Sequence, residues 1–182
     1  DGWGNIAYDR ITDEVIDEIK LYPEAMRDFI TKYDVISVKG RQYPRIIEAG
    51  KPMDVYHEYG KAEFQHRKDL DITLEILVKK YPQFKETVRE YMKSSVAHEC
   101  NMFIMRKEIY HQYCEWLFDI LFEAEKKIDM TWYSVEEYRV MGYLAERLCG
   151  IYYTYLKNQS GIKAAELPKT LFQDTAPKAV LE

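Results

Sequence analysis

The feature that most constrains the fold is a change of hydrophobic period within residues 101–129. Met102 to Met105 form an apolar run that is too short for a helix, and the run predicts a buried strand. Further along, apolar residues recur at the spacing of one helical face: Ile109, Tyr113, Trp116, Leu117, Ile120 and Leu121. A second apolar stripe lies beside the first: Tyr110, Cys114, Phe118 and Phe122. Together the two stripes predict a central helix that other elements cover on most of its circumference.

Other segments also have helical periodicity or the signals that start a helix. Thr12 can cap the first of these helices, and Ser134 and Glu137 have the spacing of a capping box at the start of the last. Six helices are predicted: after Thr12, from Pro23 to Tyr33, over 54–64, over 70–78, after Pro82, and from Ser134 to 158. We expect the central helix to pack between the last of these and the pair around Ile76 and Val88.

Strands are predicted in fewer and shorter segments. Residues 34–39 are rich in β-branched side chains and end at Gly40, and the tail holds one more short strand. Because short apolar strands need a paired edge, we expect the strands near Val35 and Phe103 to form a small sheet. The predicted fold class is α+β, predominantly helical with a small sheet of short strands.

Length and composition predict a single domain over residues 1–182. With 47% apolar and 31% charged residues, the chain has globular composition and enough length to bury a sizeable core. Residues 1–10 and 158–182 are expected to be irregular ends, and 41–52 a loop of a length that is often functional. The chain begins at Asp1 and ends in Leu181-Glu182, from which we expect a fragment of a longer protein.

Charge and cysteine content exclude several classes of function. A net charge of −5 without a dense block of Lys and Arg gives no reason to expect nucleic acid as a partner. The three cysteines are odd in number and have no C-x-x-C spacing, which favours a reducing cytoplasm over a disulfide framework or zinc knuckle. No apolar run in the sequence approaches the length of a membrane span. The 16 tyrosines suit interfaces and sugar-binding clefts alike.

The carboxylates of Asp69 and Asp71 are the first candidate site. Two carboxylates at this spacing can hold a divalent cation against a diphosphate. They also stand where a helix begins, so Asp69 as N-cap and Asp71 in the first turn would satisfy free N–H groups and the helix dipole. The sequence favours the capping interpretation and leaves the metal site as the alternative.

Three histidines, His57, His66 and His98, form the second candidate group. A neutral imidazole can bind a phosphate or a sugar hydroxyl, and it can act as a base near pH 7. No second histidine follows His57 at the H-E-x-x-H spacing of a metal site. Each histidine is therefore a candidate catalytic base, with a surface or packing role as the alternative.

The third candidate group lies in the last predicted helix. Arg139 and Glu146 are seven residues apart and should share a helical face, with Arg147 one step around. A guanidinium there could make a bidentate contact with a donor phosphate or an acceptor carboxylate, and a salt bridge between helices fits the spacing equally well. The sequence contains no G-x-G-x-x-G, Walker loop or G-x-S-x-G, which sets aside nucleotide binding through a glycine-rich loop.

Four segments together resemble a known bacterial family: KDLDI at 68–72, NMFIM at 101–105, YCEWLFDILFE at 113–123 and ERL at 146–148. The family is a domain of unknown function attached to capsular and other cell-surface polysaccharide glycosyltransferases, and the resemblance covers Tyr33 to Tyr155. Its members resemble transferases of the nucleotide-diphospho-sugar type, in which a sheet edge holds the donor and a divalent metal. Their usual opening portion, with a first strand and an H-Y-R-R-like segment, is not found in this chain.

The resemblance implies sugar transfer from a nucleotide-sugar donor to a surface glycan, in the cytoplasm at the inner face of the membrane, with Mg²⁺ or Mn²⁺ on the leaving diphosphate. Five residues fall in family-like motifs: Asp69, Asn101, Arg139, Glu146 and Arg147. By this match Asn101 would contact the sugar and the two arginines would hold phosphate. The catalytic base is not identified beyond the three histidines.

A competing hypothesis is a non-catalytic accessory or oligomerisation domain of a larger polysaccharide synthase. The tyrosine-rich surface would then contact protein or glycan. Because the donor portion of the family is missing, the isolated chain is expected to fold without transferring sugar. The expected partners are a nucleotide sugar, a glycan acceptor and the rest of the parent protein, and self-association is left open.

Overall fold

The computed structural model describes residues 6–43 and 53–173 of the chain. Within them lie seven α-helices: α1 (Asp13–Ile19), α2 (Pro23–Ile30), α3 (Val55–Tyr59), α4 (Arg67–Lys80), α5 (Lys85–Lys93), α6 (Lys107–Glu125) and α7 (Val140–Lys157). The strands are β1 (Ile6–Tyr8), β2 (Val35–Val38), β3 (Arg41–Gln42), β4 (Val96–Ala97), β5 (Phe103–Met105), β6 (Ala164–Leu167) and β7 (Thr170–Phe172). This confirms the predicted α+β class.

The core is built on α6, as the first apolar stripe predicts. This helix packs against α4 on one side and α7 on the other. Trp116 lies at the junction, with its ring centroid 5.0 Å from those of Phe84 and Tyr152. The helix around Val88, α5, packs against α7 and α3, so the expectation that it would flank the central helix was wrong.

The second stripe of α6 faces solvent, which corrects the prediction of a helix covered on most sides. Phe118 is 47% exposed and Phe122 is 59% exposed, and their rings stack on each other at 5.6 Å. Tyr110 is also exposed, whereas Cys114 is partly buried. The reason is that α4 and α7 cover only the side of α6 that carries the first stripe.

The main sheet has three strands in the order β5-β2-β6, with β2 antiparallel to β5 and parallel to β6. The predicted pairing of the strands near Val35 and Phe103 is confirmed, and Val35 lies opposite Met105. The prediction that β5 is buried was wrong, because it is an edge strand and Ile104 is 37% exposed. No helix among the described residues has the length and apolar character needed to cross a bilayer.

Both ends of the described chain contain strands: the one short strand predicted in the tail is present as β6, whereas β1 and β7 lie in stretches that were expected to be irregular. Ile6 of β1 lies opposite Thr170 of β7 in a parallel pair. The predicted loop also begins with a strand, because Arg41 and Gln42 pair with β4. The rest of that loop, from 44 to 52, lies outside the described residues, as do Asp1 and the Leu181-Glu182 end.

The predicted helix-start signals at Thr12 and Ser134 form. The Thr12 hydroxyl accepts the Val15 N–H at 3.3 Å. The Ser134 N–H donates to Glu137 Oε2 at 2.7 Å, while the Glu137 N–H donates to Ser134 Oγ at 3.2 Å. This box starts a 3₁₀ turn at 137–139, and α7 begins only after it. Val135, which comes before this turn and therefore outside α7, is 82% exposed.

A glycine sets the distance between α5 and α7. A Cβ at Gly150 would lie 2.0 Å from Tyr91 Oη, so only a glycine accommodates the ring in this packing. The Tyr91 hydroxyl in turn accepts the His98 backbone N–H at 3.1 Å. This contact fixes the connection between β4 and β5, which carries one side of the candidate site.

Candidate functional site

A buried arginine on α7 is the centre of a polar cluster inside the core. Arg147 is 3% exposed, and its Nη2 donates to Glu58 Oε2 at 2.8 Å. Its guanidinium carbon lies 5.4 Å from the ring centroid of Tyr59, on α3. Burial opposes the charge, but Tyr43 and Glu58 keep the pKa of Arg147 above its ordinary value. The guanidinium is therefore held charged and in one position.

Three further residues complete this cluster around Glu58. The Tyr43 hydroxyl can donate its one proton to Glu58 Oε2 at 3.0 Å or to Glu99 Oε1 at 3.2 Å. Arg41 Nη2 lies 3.0 Å from the same Glu99 oxygen. Burial, the largest cause, raises the pKa of Tyr43, so the phenol stays a neutral donor. We call Arg41, Tyr43, Glu58, Glu99 and Arg147 the Arg147 cluster.

Glu146 adjoins this cluster but lies on its open side. It is partly buried, and its Oε2 is 3.7 Å from Arg147 Nη1. Burial raises the pKa of Glu146 above its ordinary value, Arg147 opposes this effect, and Glu99 adds to it. A carboxyl tuned upward in this way is suited to exchanging a proton nearer neutral pH.

A turn with unusual backbone geometry lies next to Glu146. Cys100 and Asn101 have φ values of 74° and 48°, in the left-handed region that few residues other than glycine adopt. The backbone of Cys100 and the ammonium of Lys169 both lower the pKa of Glu146, against the dominant effect of burial. Lys169 Nζ also lies 3.2 Å from Cys100 Sγ. We call Cys100, Asn101, Glu146 and Lys169 the Glu146 mouth.

Arg139 does not join these two groups in the described structure. It lies in the 3₁₀ turn before α7, where it is exposed, and its guanidinium carbon is 5.6 Å from the ring centroid of Tyr143. The expected helical face shared by Arg139 and Glu146 was therefore wrong, because the helix begins one residue after the arginine. Its predicted contact with phosphate stays a prediction.

The two aspartates have separate environments. Asp69 is fully buried and accepts the Tyr133 hydroxyl at 2.7 Å through Oδ2. Asp71 is exposed and accepts the Tyr56 hydroxyl at 2.9 Å. The N-cap of α4 is His66, which makes no capping bond, so the assignment of Asp69 as the cap was wrong.

The aspartates do not form a full metal-binding set with other described residues. Over 6–43 and 53–173, no group of three His, Cys, Asp or Glu side chains is arranged to hold a metal ion. Within the same ranges, Asp69 Oδ1 has no hydrogen-bond partner. Hard cations take about six oxygen ligands, so these residues do not fit a protein-held metal site, and the predicted pair stays a prediction.

Each candidate histidine is bonded to a different carboxylate. His57 Nδ1 lies 2.6 Å from Asp54, His66 Nε2 lies 2.7 Å from Glu137, and His98 Nε2 lies 3.0 Å from Glu166. His57 is on α3, His66 is the N-cap of α4, and His98 lies between β4 and β5. The structure does not bring the three rings together, and their catalytic role stays a prediction.

Sequence reasoning missed the carboxylates that hold Arg147 and the lysine beside Glu146. Glu58 is 89 residues away from Arg147, and nothing in its local pattern distinguishes it from a surface glutamate. Glu99 offered a weak signal, because it stands directly before the turn that opens the NMFIM string. Lys169 lies in a tail that was expected to be irregular.

A family model described as Domain of unknown function (DUF4422) matches residues 7–159. The chain is similar to the apo structure of the bifunctional glycosyltransferase WbbM, with a TM-score of 0.84 and 31% sequence identity. The alignment covers 96% of this chain and 30% of that chain, so this chain spans less than a third of its length. No curated protein matches the sequence.

Proposed function

The chain belongs to the family of the domain of unknown function DUF4422, and from this premise we propose that it takes part in sugar transfer from a nucleotide-sugar donor to a cell-surface glycan of the capsular or exopolysaccharide type. Its likeness to a bifunctional glycosyltransferase supports a glycosyltransferase-like role. In this proposal the chain supplies the acceptor side of the reaction, in the cytoplasm at the inner face of the membrane.

The observation that carries the proposal is the environment of Glu146. In a direct displacement, an acceptor hydroxyl forms a bond to the anomeric carbon and gives up its proton, while the bond to the diphosphate breaks and the diphosphate keeps the electron pair. A base with a pKa moved toward neutral pH suits this step. Burial raises the pKa of Glu146, and the carboxyl borders the exposed turn at Asn101. Glu146 is therefore the proposed base, with Asn101 contacting the acceptor sugar.

Arg147 acts as a positioning residue in this account. Its Nη2 is bonded to Glu58 and its guanidinium is buried, so its role is to hold charge beside Glu146. The sequence-based expectation that Arg147 holds phosphate would require the Arg147 cluster to open. Arg139 is exposed and lies outside both polar groups, so its contact with a phosphate stays a prediction.

Binding of the donor is left to groups outside the described residues. The described carboxylates do not fit a metal site, so no step is assigned to Mg²⁺ or Mn²⁺ here. The similar structure belongs to a much longer chain, which supports a donor site completed by other parts of a longer protein. Calorimetry of this chain with Mn²⁺ and a uridine diphospho-sugar is then expected to show no saturable heat at about millimolar concentration.

Glu146→Gln tests the proposal, with Glu63→Gln as the control because Glu63 is exposed and lies outside both polar groups. Release of nucleoside diphosphate and transfer to glycan acceptors are measured for this chain and for any longer natural polypeptide that contains it. Loss of a general base predicts a rate reduction of about 10²- to 10⁴-fold for Glu146→Gln and none for the control. A polypeptide that transfers sugar equally well with Gln at position 146 would refute the role of Glu146.

A second candidate function is an accessory or oligomerisation domain, and the exposed stripe on α6 favours it. Tyr110, Phe118 and Phe122 leave apolar surface open along one helix. Contiguous apolar patches of this kind mark contact sites more often than single exposed residues do. Sedimentation of the wild type and of Phe118→Ser distinguishes the two functions, because an oligomer that dissociates in the variant, without any transfer activity, supports the accessory function.

A further inference from the structure

An apolar cleft of about 490 Å³ lies beside the main sheet. Its walls come from the α1–α2 region, from β2, from the edge strand β5 and from the end of β6. The apolar side chains that line it include Leu21, Met26, Ile36, Val38, Ile104 and Leu167. The volume falls within the range of about 300–1,000 Å³ typical of ligand sites.

The cleft keeps apolar side chains open to solvent. Met102 is 50% exposed, and Leu21 and Ile104 are also exposed although they line the same space. A group of open apolar side chains around a concavity favours a ligand that buries them. The cleft belongs neither to the α4–α6–α7 core nor to the Arg147 cluster.

One end of the cleft is polar. Asn101 and Lys169 are among the lining residues, and both belong to the Glu146 mouth. Within the described ranges the Lys169 ammonium makes no ion pair within 4 Å, although it interacts electrostatically with Glu146, and its one hydrogen bond goes to Cys100 Sγ, a weak acceptor. An ammonium has three hydrogens to donate, so Lys169 keeps the capacity to bind an anion.

We propose that the cleft binds the aliphatic chain of a lipid-linked acceptor, with the phosphate of that lipid on Lys169 and its sugar at Asn101. The apolar walls select the chain, the ammonium selects the anion, and the sugar carried by the phosphate then lies toward Glu146. A single cleft holds one chain, which favours a single-chain lipid phosphate over a two-chain membrane phospholipid. This inference rests on the proposed function, because it names the class of acceptor that Glu146 would activate.

The test is calorimetric titration of the chain with dodecyl phosphate, below the concentration at which it forms micelles. Two comparators separate the parts of the ligand: dodecyl maltoside has the chain without the charge, and inorganic phosphate has the charge without the chain. We expect saturable binding of dodecyl phosphate that is at least about ten-fold tighter than that of either comparator, because both the apolar and the charged contacts are needed. Equal binding of dodecyl maltoside, or no saturable binding of dodecyl phosphate, would overturn the proposal.

Matched variants locate the binding. Met102→Glu places a charge in the cleft at a half-exposed position, and Lys169→Ala removes the ammonium. Each change is expected to weaken dodecyl phosphate binding about ten-fold or more, whereas Lys169→Arg should retain the wild-type affinity. The controls are Phe118→Glu and Lys79→Ala, which change exposed residues outside the cleft. Circular dichroism confirms that each variant is folded. Unchanged affinity in both Met102→Glu and Lys169→Ala would contradict the assigned site.

Two further arms separate this inference from other outcomes. The first arm uses vesicles of phosphatidylglycerol. If these vesicles bind the wild type and Met102→Glu equally, and dodecyl phosphate shows no saturable binding, the surface binds a membrane and the cleft proposal is overturned. Glu146→Gln should bind dodecyl phosphate at least as tightly as the wild type, because the variant removes a negative charge that interacts with Lys169. Weaker binding by this variant would contradict the phosphate position. Binding located in the cleft with no sugar transfer by any polypeptide would refute the proposed function and leave the cleft assignment standing.

Discussion

The Arg147 cluster and the Glu146 mouth share helix α7, yet one is closed and the other is open. In the Arg147 cluster each charged group faces an opposite charge or a hydroxyl, and Arg147 is almost fully buried, although its Nε and Nη1 make no hydrogen bond among the described residues. In the Glu146 mouth the carboxylate is only partly compensated and Lys169 makes no ion pair among the described residues. The comparison teaches that adjacent residues of one helix can serve structure and chemistry separately, according to how completely their charges are paired.

The difference has a physical basis in desolvation. A buried charge is tolerated only when partners replace the water it loses, and removing one partner leaves the other uncompensated. A partly buried carboxylate without full compensation instead shifts its pKa, which prepares it for proton exchange. We therefore expect substitutions in the Arg147 cluster to act on stability and substitutions in the Glu146 mouth to act on function.

The largest effect is expected from Arg147→Ala. It leaves Glu58 without its buried cation and removes the positive charge 3.7 Å from Glu146, which should cost about 3–5 kcal/mol of unfolding free energy. Urea denaturation measures this loss, and Arg139→Ala is the matched control, expected to change stability by less than about 0.5 kcal/mol. A loss for Arg147→Ala as small as that of the control would remove the distinction between the closed and open groups.

Two glycines of α7 sharpen the comparison on the packing side. Gly150→Ala drives a methyl group into Tyr91 and should cost about 1–3 kcal/mol. Gly142→Ala meets nothing within 4 Å and should stabilise the helix by about 0.5–1 kcal/mol. Thermal unfolding of the two variants tests this, and a change of the same sign in both would contradict the packing of α5 on α7.

Tyr43→Phe should have an intermediate effect. It removes the hydroxyl that donates to Glu58 or Glu99, and the cost of the lost bond is about 1–2 kcal/mol. Tyr138→Phe serves as the control, because Tyr138 is exposed. Equal stability of the two variants in urea would show that the Tyr43 hydroxyl is not part of the cluster.

The smallest effect on stability is expected from Glu146→Gln, and its sign is the informative part. Burial raises the pKa of Glu146, so the folded state binds the proton more tightly than the unfolded state does. The wild type therefore loses stability as pH rises from the ordinary glutamate pKa through the raised one, and the Gln variant does not. Above that window the variant should be more stable by less than about 1 kcal/mol, and below it the advantage should vanish. Urea denaturation curves at several pH values test this prediction. If Glu146→Gln is less stable than the wild type at neutral pH, the claim that the Glu146 carboxylate is incompletely compensated is contradicted.

The sequence predicted the parts of the fold that periodicity specifies, and it failed where distant residues decide. Trp116 was placed correctly in the core because its stripe recurs at helical spacing. Phe118 and Phe122 have the same spacing, and only the positions of α4 and α7 show that they face solvent. The pairing of β1 with β7 joins three-residue strands from the two ends of the described chain, for which no local pattern exists.

The candidate site was predicted in part for the same reason. Glu146 and Arg147 were identified as neighbours on a helix, but their different roles depend on Glu58 and Lys169, which are distant in sequence. Asp69 looked like a cap because aspartates are common at helix starts, whereas in the fold it is buried and accepts the hydroxyl of Tyr133, a residue beyond α6. Patterns identify the residue types, and tertiary contacts assign their charge states.

The most direct test of the central claim is the pH dependence of nucleoside diphosphate release, measured for wild type and Glu146→Gln in the longest natural polypeptide that contains this chain. If Glu146 is the base, the wild-type rate rises with pH through a pKa above that of an ordinary glutamate, and the variant loses both that rise and about 10²-fold or more of the rate. An unchanged profile and rate in Glu146→Gln would contradict the claim that the open side of α7 performs the chemistry.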